Sequence, residues 1–591
     1  MPFVQESPRL ENQFDADALL KEYLERVVPV DVRRDIEPEL RAMGELAAGP
    51  LFELIQRTRR DEPELIQFDA WGRRVDEIRV PEAWKQLAAI ACRHGLVAIP
   101  YERRHGPFSR IHQVALTYLF GPSSSIYTCP LAMSDGAVKT LQAHGNAALI
   151  DRAIPQLISR DPARAWTSGQ WMTESTGGSD VGLTQTVARH VNGEWRLYGN
   201  KWFTSAATSQ MTLTLARPEG NGPGGKGLAL FYLEVRGPDG QLNGIRIQRL
   251  KDKLGTRMLA TAELELDGAK AVPVAGLTDG VKAISPMLQI TRTWNAMIAV
   301  SSMRRGLALA ADYAKRRVQF GAPLDKKPLH VETMAGLQTQ FESGFLLTLR
   351  HVELLGREEA GLATESERMI SRLLQPIVKL LTGKQAVAHA SEVLEAFGGA
   401  GYLEDTGLPV LLRDAQVLPI WEGTTNVLSL DALRAIGSGD ALHALLEDLE
   451  SKVRRVDSSL EGPRAAALTA ASEAARWFRD GATRDLGEQE ASARAFALTL
   501  GRAYSLALVI EHAHWLLEKQ RNRRGVAIAR RLAAAGLNAL PTVSSLDDAR
   551  AIACPQRRSG KFSEKDSHER RPHAPFPHRF SLPLREYRGG A

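Results

Sequence analysis

The spacing of apolar residues along the chain changes twice. Apolar residues recur at three- and four-residue intervals up to about residue 165, which predicts amphipathic helices. An alternating pattern follows, in which Asn192-Gly193 between two alternating runs predicts a β-hairpin. Helical spacing then returns, so we expect an α+β fold that is mostly helical. The predicted segments are an N-terminal helical domain (1–165), a middle β-sheet domain (166–280), a helical bundle domain (281–437), an extra helical domain (438–540) and a disordered basic tail (541–591).

Composition restricts the class of protein. The 591 residues are 44% apolar, which is ordinary for a chain that buries a large core. Three cysteines, Cys92, Cys129 and Cys554, are too few and too scattered for a disulfide framework or a zinc site, and they indicate a reduced compartment. The start of the chain lacks the basic and apolar runs of a signal peptide, and no uninterrupted apolar stretch reaches about 18 residues. We expect a cytoplasmic protein without a membrane span and without a bound metal.

Positive charge is concentrated in the last quarter of the chain. Residues 441–591 hold 25 Lys and Arg against 18 Asp and Glu, whereas the net charge of the whole chain is +6. A basic cluster on a predicted helix in this region could bind DNA phosphates without reading sequence. A solvated face, or pairing with acids of another subunit, is the alternative. The cluster consists of Lys519, Arg521, Arg523, Arg524, Arg530 and Arg531.

Two motifs in the β region are suited to holding a ring or a phosphate. Residues 172–181 read MTESTGGSDV, where two adjacent glycines permit a tight turn that exposes backbone N–H groups and hydroxyls. Residues 199–204 read GNKWFT, where a tryptophan near a hydroxyl could cover an aromatic ring and bond its edge. Taken singly, a strand-exit loop and a core aromatic are the commoner roles of such residues.

A third motif begins at Arg292 and ends in the segment YAKRRVQFG. Gly321, the last residue of that segment, is predicted to be a helix C-cap. The two arginines before it could reach a phosphate. The alternative is that they only complement the helix dipole.

A fourth motif contains the most reactive candidate, Glu422. It follows the glycine-rich segment FGGAGY and lies between Trp421 and Gly423 at the start of an apolar helix. The glycine allows another molecule to approach closely, and the aromatic neighbour would desolvate the carboxylate and raise its pKa, as a base near neutral pH requires. The alternative is a helix-start carboxylate that the dipole stabilises.

Together and in this order the motifs resemble those of the acyl-CoA dehydrogenase family. The segments that carry the resemblance are MTE..GGSD, KWFT, R…YAKRRVQFG, FGGAGY, LRDA and WEGT, and they cover about residues 60–437. The segment WEGTTN, the long N-terminal region and the extra C-terminal helices resemble the AidB-like subgroup, named for the adaptive response to DNA alkylation. The resemblance implies an N-terminal helical domain, a middle β-sheet domain and a C-terminal four-helix bundle, with an extra helical domain after them.

The resemblance also implies roles for individual residues. Glu422 would be the catalytic base, and Arg292 and Ser179 would face the substrate. The flavin contacts would come from the turn that runs from Gln170 to Ser179, with Ser179 near the thioester-CoA end. The residues expected at the isoalloxazine ring of FAD are Met172, Thr173, Trp202 and Thr204. The residues expected to hold the adenine-diphosphate half, several across a subunit boundary, are Arg317, Gln319, Phe320, Gly398, Gly399, Thr424 and Asn426.

The implied reaction is α,β-dehydrogenation of an acyl-CoA thioester to a trans-2-enoyl-CoA. Glu422 would take the α proton while hydride passes to flavin N5, and its own backbone N–H would help polarise the thioester oxygen. An electron-transfer flavoprotein would be the acceptor, and the protein would be a homo-oligomer built as a dimer of dimers. Three departures from the family pattern, at Gln289, Pro328 and Glu395, favour an alternative: an AidB-like flavoprotein that binds DNA and has vestigial dehydrogenase activity.

Overall fold

The computed structural model describes residues 6–437, 439–481, 485–541 and 546–553. The N-terminal helices are α1 (Ala18–Val27), α2 (Val30–Ala48), α3 (Pro50–Arg57), α4 (Glu82–Arg93), α5 (Ile99–Glu102), α6 (Ser109–Phe120), α7 (Thr128–His144) and α8 (Ala147–Leu157). Helices α1, α2, α4 and α8 each bury one face, as the helical spacing predicts, whereas α6 and most of α7 are buried on all sides.

A β-hairpin interrupts these helices. Its strands, β1 (Glu64–Phe68) and β2 (Arg74–Arg79), pair antiparallel. Leu65 and Ile78 pack against the core of the middle sheet, and Arg74 donates a hydrogen bond to the Ile247 carbonyl at 2.9 Å. The helical assignment of residues 1–165 missed this hairpin, because two short strands with charged residues between them give little periodic signal.

The middle domain is a sheet whose pairings close on themselves. Its strands are β3 (Ser168–Trp171), β4 (Val187–Val191), β5 (Glu194–Ser205), β6 (Met211–Pro218), β7 (Ala229–Glu234), β8 (Ile245–Leu250) and β9 (Thr261–Pro273). The ring runs β6-β7-β9-β5-β4 and back to β6, with β3 on β6 and β8 on β9. Asn192 (φ 52°) and Gly193 (φ 83°) form the β4–β5 turn in the left-handed region, so the predicted hairpin is confirmed.

Strand β5 contains a β-bulge that matters for the site. Lys201 pairs with Leu264 of β9, but Thr204, three residues later, pairs with Ala262, only two residues earlier on β9. The extra residue therefore lies at Trp202–Phe203. Because a bulge shifts the alternation of side chains, Lys201 and Thr204 both point into the sheet interior, where both are buried.

The second helical region forms a bundle. Its helices are α9 (Gly280–Ala283), α10 (Ser285–Arg316), α11 (Pro328–Glu359), α12 (Glu365–Ala396), α13 (Pro409–Ala415) and α14 (Thr425–Ile436). The predicted C-cap at Gly321 is wrong, because α10 ends at Arg316. Phe320 (φ 47°) and Gly321 (φ 76°) instead form the turn between two short strands, β10 (Val318–Gln319) and β11 (Ala322–Pro323).

A buried carboxylate ties the N-terminal helices to the bundle. Asp135 of α7 accepts hydrogen bonds from Arg110 of α6 at 2.6 Å and from the Trp294 indole of α10 at 2.7 Å. Arg110 also donates to Glu359 of α11 at 2.6 Å. Because each charge has an opposite partner, the pairing holds four helices in a fixed arrangement.

The C-terminal helices pack onto the bundle. They are α15 (Asp440–Lys452), α16 (Glu461–Gly481), α17 (Leu486–Gln520), α18 (Arg524–Ala534) and α19 (Leu546–Ala553). By length and composition α17 could cross a membrane, but 78% of its most apolar window is buried inside the fold. The helix α19 corrects the prediction of a disordered tail from 541, and the part of that tail from 554 lies outside the described residues.

Candidate active site

A cavity of about 1260 Å³ lies where the middle sheet meets the bundle. Its walls come from the turn after β3, the end of β5, helices α7, α10 and α12, and the loop that precedes α14. Small-molecule sites usually measure about 300–1,000 Å³. The cavity therefore has room for more than one small ligand.

Glu422 lies on the wall of this cavity in a strained backbone conformation. Its φ is 63°, a region that non-glycine residues rarely adopt and that costs on the order of 1 kcal/mol or more. Burial raises the pKa of its carboxyl above the ordinary value, although Thr291, Arg292, Gln170 and Lys379 each favour the charged form. A carboxylate with a raised pKa beside a large cavity is suited to accept a proton.

Three side chains from the bundle hold the loop that carries Glu422. Arg292 Nε donates to the Glu422 carbonyl at 3.1 Å, and Lys379 Nζ donates to the Gly423 carbonyl at 2.6 Å. Asn295 Nδ2 donates to the Leu418 carbonyl at 3.2 Å. Strained backbone persists only where its surroundings fix it, and these donors from α10 and α12 do so.

Lys379 is a buried cation next to the candidate base. Burial lowers its pKa to about 7, against the smaller opposing effect of the Glu422 carboxylate. When it is protonated, its charge favours the ionised form of Glu422. The two groups are therefore electrostatically coupled near neutral pH.

The end of β3 and the turn after it also line the cavity. Gln170, Met172, Thr173 and Ser179 all contribute to its wall. The Gln170 amide nitrogen lies 3.5 Å from the Glu422 carboxylate, so the two motifs, 252 residues apart in sequence, meet here.

Glu174, within this turn, forms a buried ion pair with Lys201 of β5. Glu174 accepts hydrogen bonds from Lys201 at 2.8 Å, from the Thr186 hydroxyl at 2.6 Å and from the Gln185 backbone at 2.6 Å. These donors hold the pKa of Glu174 below its usual value even though the group is buried. The paired carboxylate fixes the shape of the turn.

Two predicted ring contacts on β5 are corrected by the structure. Thr204 is buried in the sheet, and its hydroxyl donates to the Ala262 carbonyl at 2.6 Å. Trp202 is also absent from the cavity wall, and its ring is 3.5 Å from the Lys251 ammonium. Phe203 and Ser205 line the cavity instead. The cause is the bulge, which moves every later side chain of β5 by one position.

Arg292 lines the cavity, but its guanidinium is already engaged. Besides the Glu422 carbonyl, it binds the Asp431 carboxylate at 2.6 Å. These contacts give Arg292 a role in holding the loop, and the expectation that it also faces the substrate stays a prediction. Thr424 lines the cavity and caps α14, whereas Asn426 does not reach the cavity wall.

Comparison with known proteins assigns the chain to a family. A protein of Caenorhabditis elegans, acyl-CoA dehydrogenase family member 11, is 43% identical over 528 residues and covers 86% of each chain. The chain belongs to the acyl-CoA dehydrogenase family. The crystal structure of Caenorhabditis elegans ACDH-11 in complex with C11-CoA matches it with a TM-score of 0.90 at 40% identity, over 94% of this chain and 97% of that one.

Separate segments match four domain families. Escherichia coli AidB is 32% identical over 424 residues, covering 70% of this chain and 76% of AidB. The predicted family, its AidB-like subgroup and the fold class are confirmed. The matching families are the adaptive response protein AidB N-terminal domain (6–162), the acyl-CoA dehydrogenase middle domain (169–269), the acyl-CoA dehydrogenase C-terminal domain (278–437) and the acyl-CoA dehydrogenase 11 C-terminal domain-like family (440–552).

In this acyl-CoA dehydrogenase five of the seven residues expected to hold the adenine-diphosphate half lie beyond the ends of α10 and α12, away from the cavity. Arg317, Gln319 and Phe320 lie just beyond the end of α10, and Gly398 and Gly399 just beyond the end of α12. Phe320 is 96% exposed. The cavity wall of a single chain contains none of these five.

The basic cluster at 519–531 does not form one helical face. The chain leaves α17 at Arg521 (φ 52°), so the cluster is split between two helices. Arg524 pairs with the buried Glu342, and Arg531 pairs with Glu332 at 2.6 Å. Arg530 bonds the Ser459 carbonyl. The acids that neutralise two of the six cations belong to the same chain, not to another subunit.

The departures from the family pattern differ in their surroundings. Gln289 lines the cavity, and its amide nitrogen is 3.4 Å from the Glu358 carboxylate. Glu395 is exposed near the end of α12. Pro328 is the first residue of α11, where proline is well tolerated. Of the three, only Gln289 is placed to contact a ligand in the cavity.

Some residues of the site were missed in the sequence. Lys379 interrupts the apolar run 377–381 of α12, and an ionisable residue inside a buried helix face is a readable signal. Phe203 and Ser205 carried no such signal, because nothing in the segment GNKWFTS reveals the bulge. Cys129 and Met133 of α7 form part of the apolar wall, which only the packing of α7 on α10 defines.

Proposed function

We propose that this acyl-CoA dehydrogenase uses FAD to convert an acyl-CoA thioester to a trans-2-enoyl-CoA, with Glu422 as the base. The observation that carries the proposal is the Glu422 carboxyl with its raised pKa on the wall of the large cavity, facing Gln170 of the glycine-rich turn. The chain's membership of the family gives the reaction class.

The residues around the turn fit the ring of FAD. The side-chain amide oxygen of Gln170 (Oε1) is buried and has no hydrogen-bond partner among the described residues, so it is free to accept a hydrogen bond from a ligand. Met172 and Phe203 offer apolar surface, and Thr173 and Ser205 offer hydroxyls, on the same wall. When bound, FAD accepts the two electrons that leave the substrate as hydride.

Glu422 supplies both a base and a hydrogen-bond donor. Its carboxylate takes the proton next to the thioester carbonyl. Its own backbone N–H donates no hydrogen bond within the described residues, so it can polarise the thioester oxygen and stabilise the charge that develops there. Arg292 and Lys379 keep both groups in position through the carbonyls of Glu422 and Gly423.

The cavity offers different surfaces to the two ends of the substrate. Ile126, Cys129 and Met133 provide an apolar wall for the acyl chain. Arg434 lines the same cavity, is exposed and has no acid partner within the described residues, so it suits the phosphates of CoA; Arg372 also lines the cavity but pairs with Asp431 at 2.8 Å. The proposed electron acceptor is an electron-transfer flavoprotein.

A homo-oligomer, built as a dimer of dimers, would complete the cofactor site. Five of the residues expected to hold the adenine-diphosphate half, those beyond the ends of α10 and α12, lie away from the cavity. Large apolar side chains are exposed around them, as expected of a surface that binds a second copy of the chain. They are Val318, Phe320, Leu329, Val331, Tyr402 and Leu403.

DNA binding is not part of this proposal. Two of the six cations of the 519–531 cluster are already neutralised by acids of the same chain. A protein that can neutralise fewer phosphates binds DNA more weakly.

Anaerobic mixing of the purified protein with a panel of acyl-CoAs tests the proposal. We expect yellow protein whose flavin absorbance bleaches with at least one thioester. Glu422→Gln should abolish bleaching, whereas Glu358→Gln, which alters another carboxylate of the same cavity, should retain it. Colourless protein that cannot be reconstituted with FAD, or bleaching that survives Glu422→Gln, would contradict the proposal.

A further inference from the structure

A second cavity, of about 450 Å³, lies behind the wall of the first. It is enclosed by α3, the middle of α10, α13 and the loop before β9. Much of its lining is apolar, including Phe52, Met258, Leu309 and Leu411. The residues that line both cavities, and so separate them, are Ile126, Gly255, Thr256, Ile298, Arg413 and Leu418.

Arg305 of α10 is a buried cation on the wall of this second cavity. It is only 2% exposed. Its Nη2 donates to the Ser123 hydroxyl at 2.8 Å and to the Ala47 carbonyl at 3.3 Å, both neutral acceptors. Its Nε is buried without a hydrogen-bond partner, and within the described ranges no carboxylate lies at ion-pair distance from it. Burial and the neighbouring Arg304 lower the pKa of Arg305 to about 9.

The other arginines of this cavity all have acid partners. Arg59 lies 3.9 Å from Asp405, Arg257 lies 2.6 Å from Glu62, and Arg413 pairs with Glu404. The adjacent Arg304, which points elsewhere, pairs with the buried Asp17 at 3.1 Å. Among the described arginines that line this cavity, Arg305 is therefore the one without an acid partner.

A buried cation without a counter-ion is costly, and proteins normally pair it or leave it in water. Here the unsatisfied N–H group and the charge lie beside an apolar cavity of ligand size. A single uncompensated positive charge matches a monoanion. A phosphate ester, with close to two negative charges, would leave one of them without a partner.

We propose that the second cavity is a binding site for an aliphatic carboxylate, whose head group pairs with Arg305 and whose chain packs on the apolar lining. The carboxylate could come from either of two sources. One is a free fatty carboxylate. The other is the far end of a dicarboxylic acyl chain that enters from the first cavity past the shared wall, and this second source rests on the proposed function.

Decanoate is the first probe, added to the full-length FAD-loaded protein. The melting temperature of the wild type should rise with decanoate concentration and saturate. Arg305→Met should weaken decanoate binding at least tenfold, and Arg305→Lys should preserve most of it. The uncharged 1-decanol and the chainless acetate should leave the melting temperature of the wild type unchanged.

Arg304→Met is the matched control, because it removes the neighbouring arginine that does have a partner. It should lower the melting temperature of the free protein, since Asp17 loses its counter-ion, yet keep the decanoate response. Arg305→Met should not lower the melting temperature, because it removes an unpaired buried charge. A wild type that does not respond to decanoate, or an equal response in wild type and Arg305→Met, would overturn the proposal.

A comparison of two thioesters identifies the source. Dissociation constants of decanoyl-CoA and of the mono-CoA thioester of decanedioic acid are measured for both proteins. Tighter binding of the dicarboxylic thioester, lost in Arg305→Met, assigns the site to the substrate chain, whereas equal binding together with a decanoate response assigns it to a free carboxylate. The decanoate experiment measures binding and needs no turnover. It therefore still tests the second cavity if the proposed dehydrogenation is not observed.

Discussion

Two carboxylates near the cavity, Glu174 in the glycine-rich turn and Glu422 on the cavity wall, have opposite pKa shifts. Glu174 receives three short hydrogen bonds, including one from Lys201, and its pKa is lowered. Glu422, on the cavity wall, lies 3.5 Å from the Gln170 amide, and burial raises its pKa despite the opposing effects of Thr291, Arg292 and Lys379. Groups whose surroundings push their pKa values apart have different tasks. Glu174 stabilises the turn, and Glu422 is able to accept a proton.

The sharpest test of this contrast is Glu422→Gln. We expect the rate of flavin reduction by an acyl-CoA to fall by roughly 10⁴-fold, the upper range for a general base. The melting temperature should stay close to that of the wild type, because the substitution removes a charge that burial disfavours. Anaerobic stopped-flow absorbance and a thermal melt measure the two quantities. A large loss of stability would show that Glu422 is also structural.

The reverse result is expected for Glu174→Gln. Lys201 would remain buried without a counter-ion, and the free energy of unfolding should fall by about 3–5 kcal/mol. Chemical denaturation measures the loss. In the double variant Glu174→Gln/Lys201→Met part of the stability should return, because no buried charge remains. If the single variant unfolds like the wild type, the ion pair does not support the turn.

Lys379→Met tests the coupling between the base and its neighbour. Burial lowers the pKa of Lys379 from 10.5 to about 7, so between these values the unfolded chain binds a proton that the folded protein does not. Stability due to this group is therefore lost as pH falls from 10.5 towards 7, and it rises with pH in that window. From pH 7 to 8 the unfolding free energy of the wild type should gain about 1 kcal/mol relative to Lys379→Met.

The same variant should also change the pH dependence of the reaction. Protonated Lys379 favours ionised Glu422, so its loss raises the pKa of the base. The acidic limb of the profile of flavin reduction against pH should move to higher pH in Lys379→Met. An unchanged limb would mean that the charge of Lys379 does not reach Glu422.

The smallest expected effects come from two neighbouring residues on opposite faces of β5, Thr204 and Ser205. Thr204→Val should cost about 0.5–1.5 kcal/mol of stability, the net worth of its hydrogen bond to Ala262, and leave the affinity for FAD unchanged. Ser205→Ala should do the opposite, with weaker retention of FAD and little loss of stability. Denaturation midpoints and FAD dissociation constants measure both. The reverse pattern would restore Thr204 as the residue that contacts the cofactor.

Sequence patterns predicted the order of helical and sheet regions because periodicity records which faces are buried. The β4–β5 turn followed from Asn192-Gly193, and Glu422 from its aromatic and glycine neighbours. The bulge in β5 could not be predicted, because it depends on how β5 pairs with β9, more than 55 residues away. The partners of Arg292 were equally hidden, since Asp431 and the Glu422 carbonyl lie more than a hundred residues further along the chain.

The packing of α17 shows whether the helices α15 to α19 could form a separate unit. Gly501 lies so close to α12 that a methyl group there would come within 2.7 Å of Ile377, and Arg524 neutralises Glu342 inside α11. A chain cut before α15 would expose the apolar sides of α11, α12 and α14 and remove the cation that pairs with Glu342. These helices are thus an outer wall of the catalytic unit and not a detachable appendage.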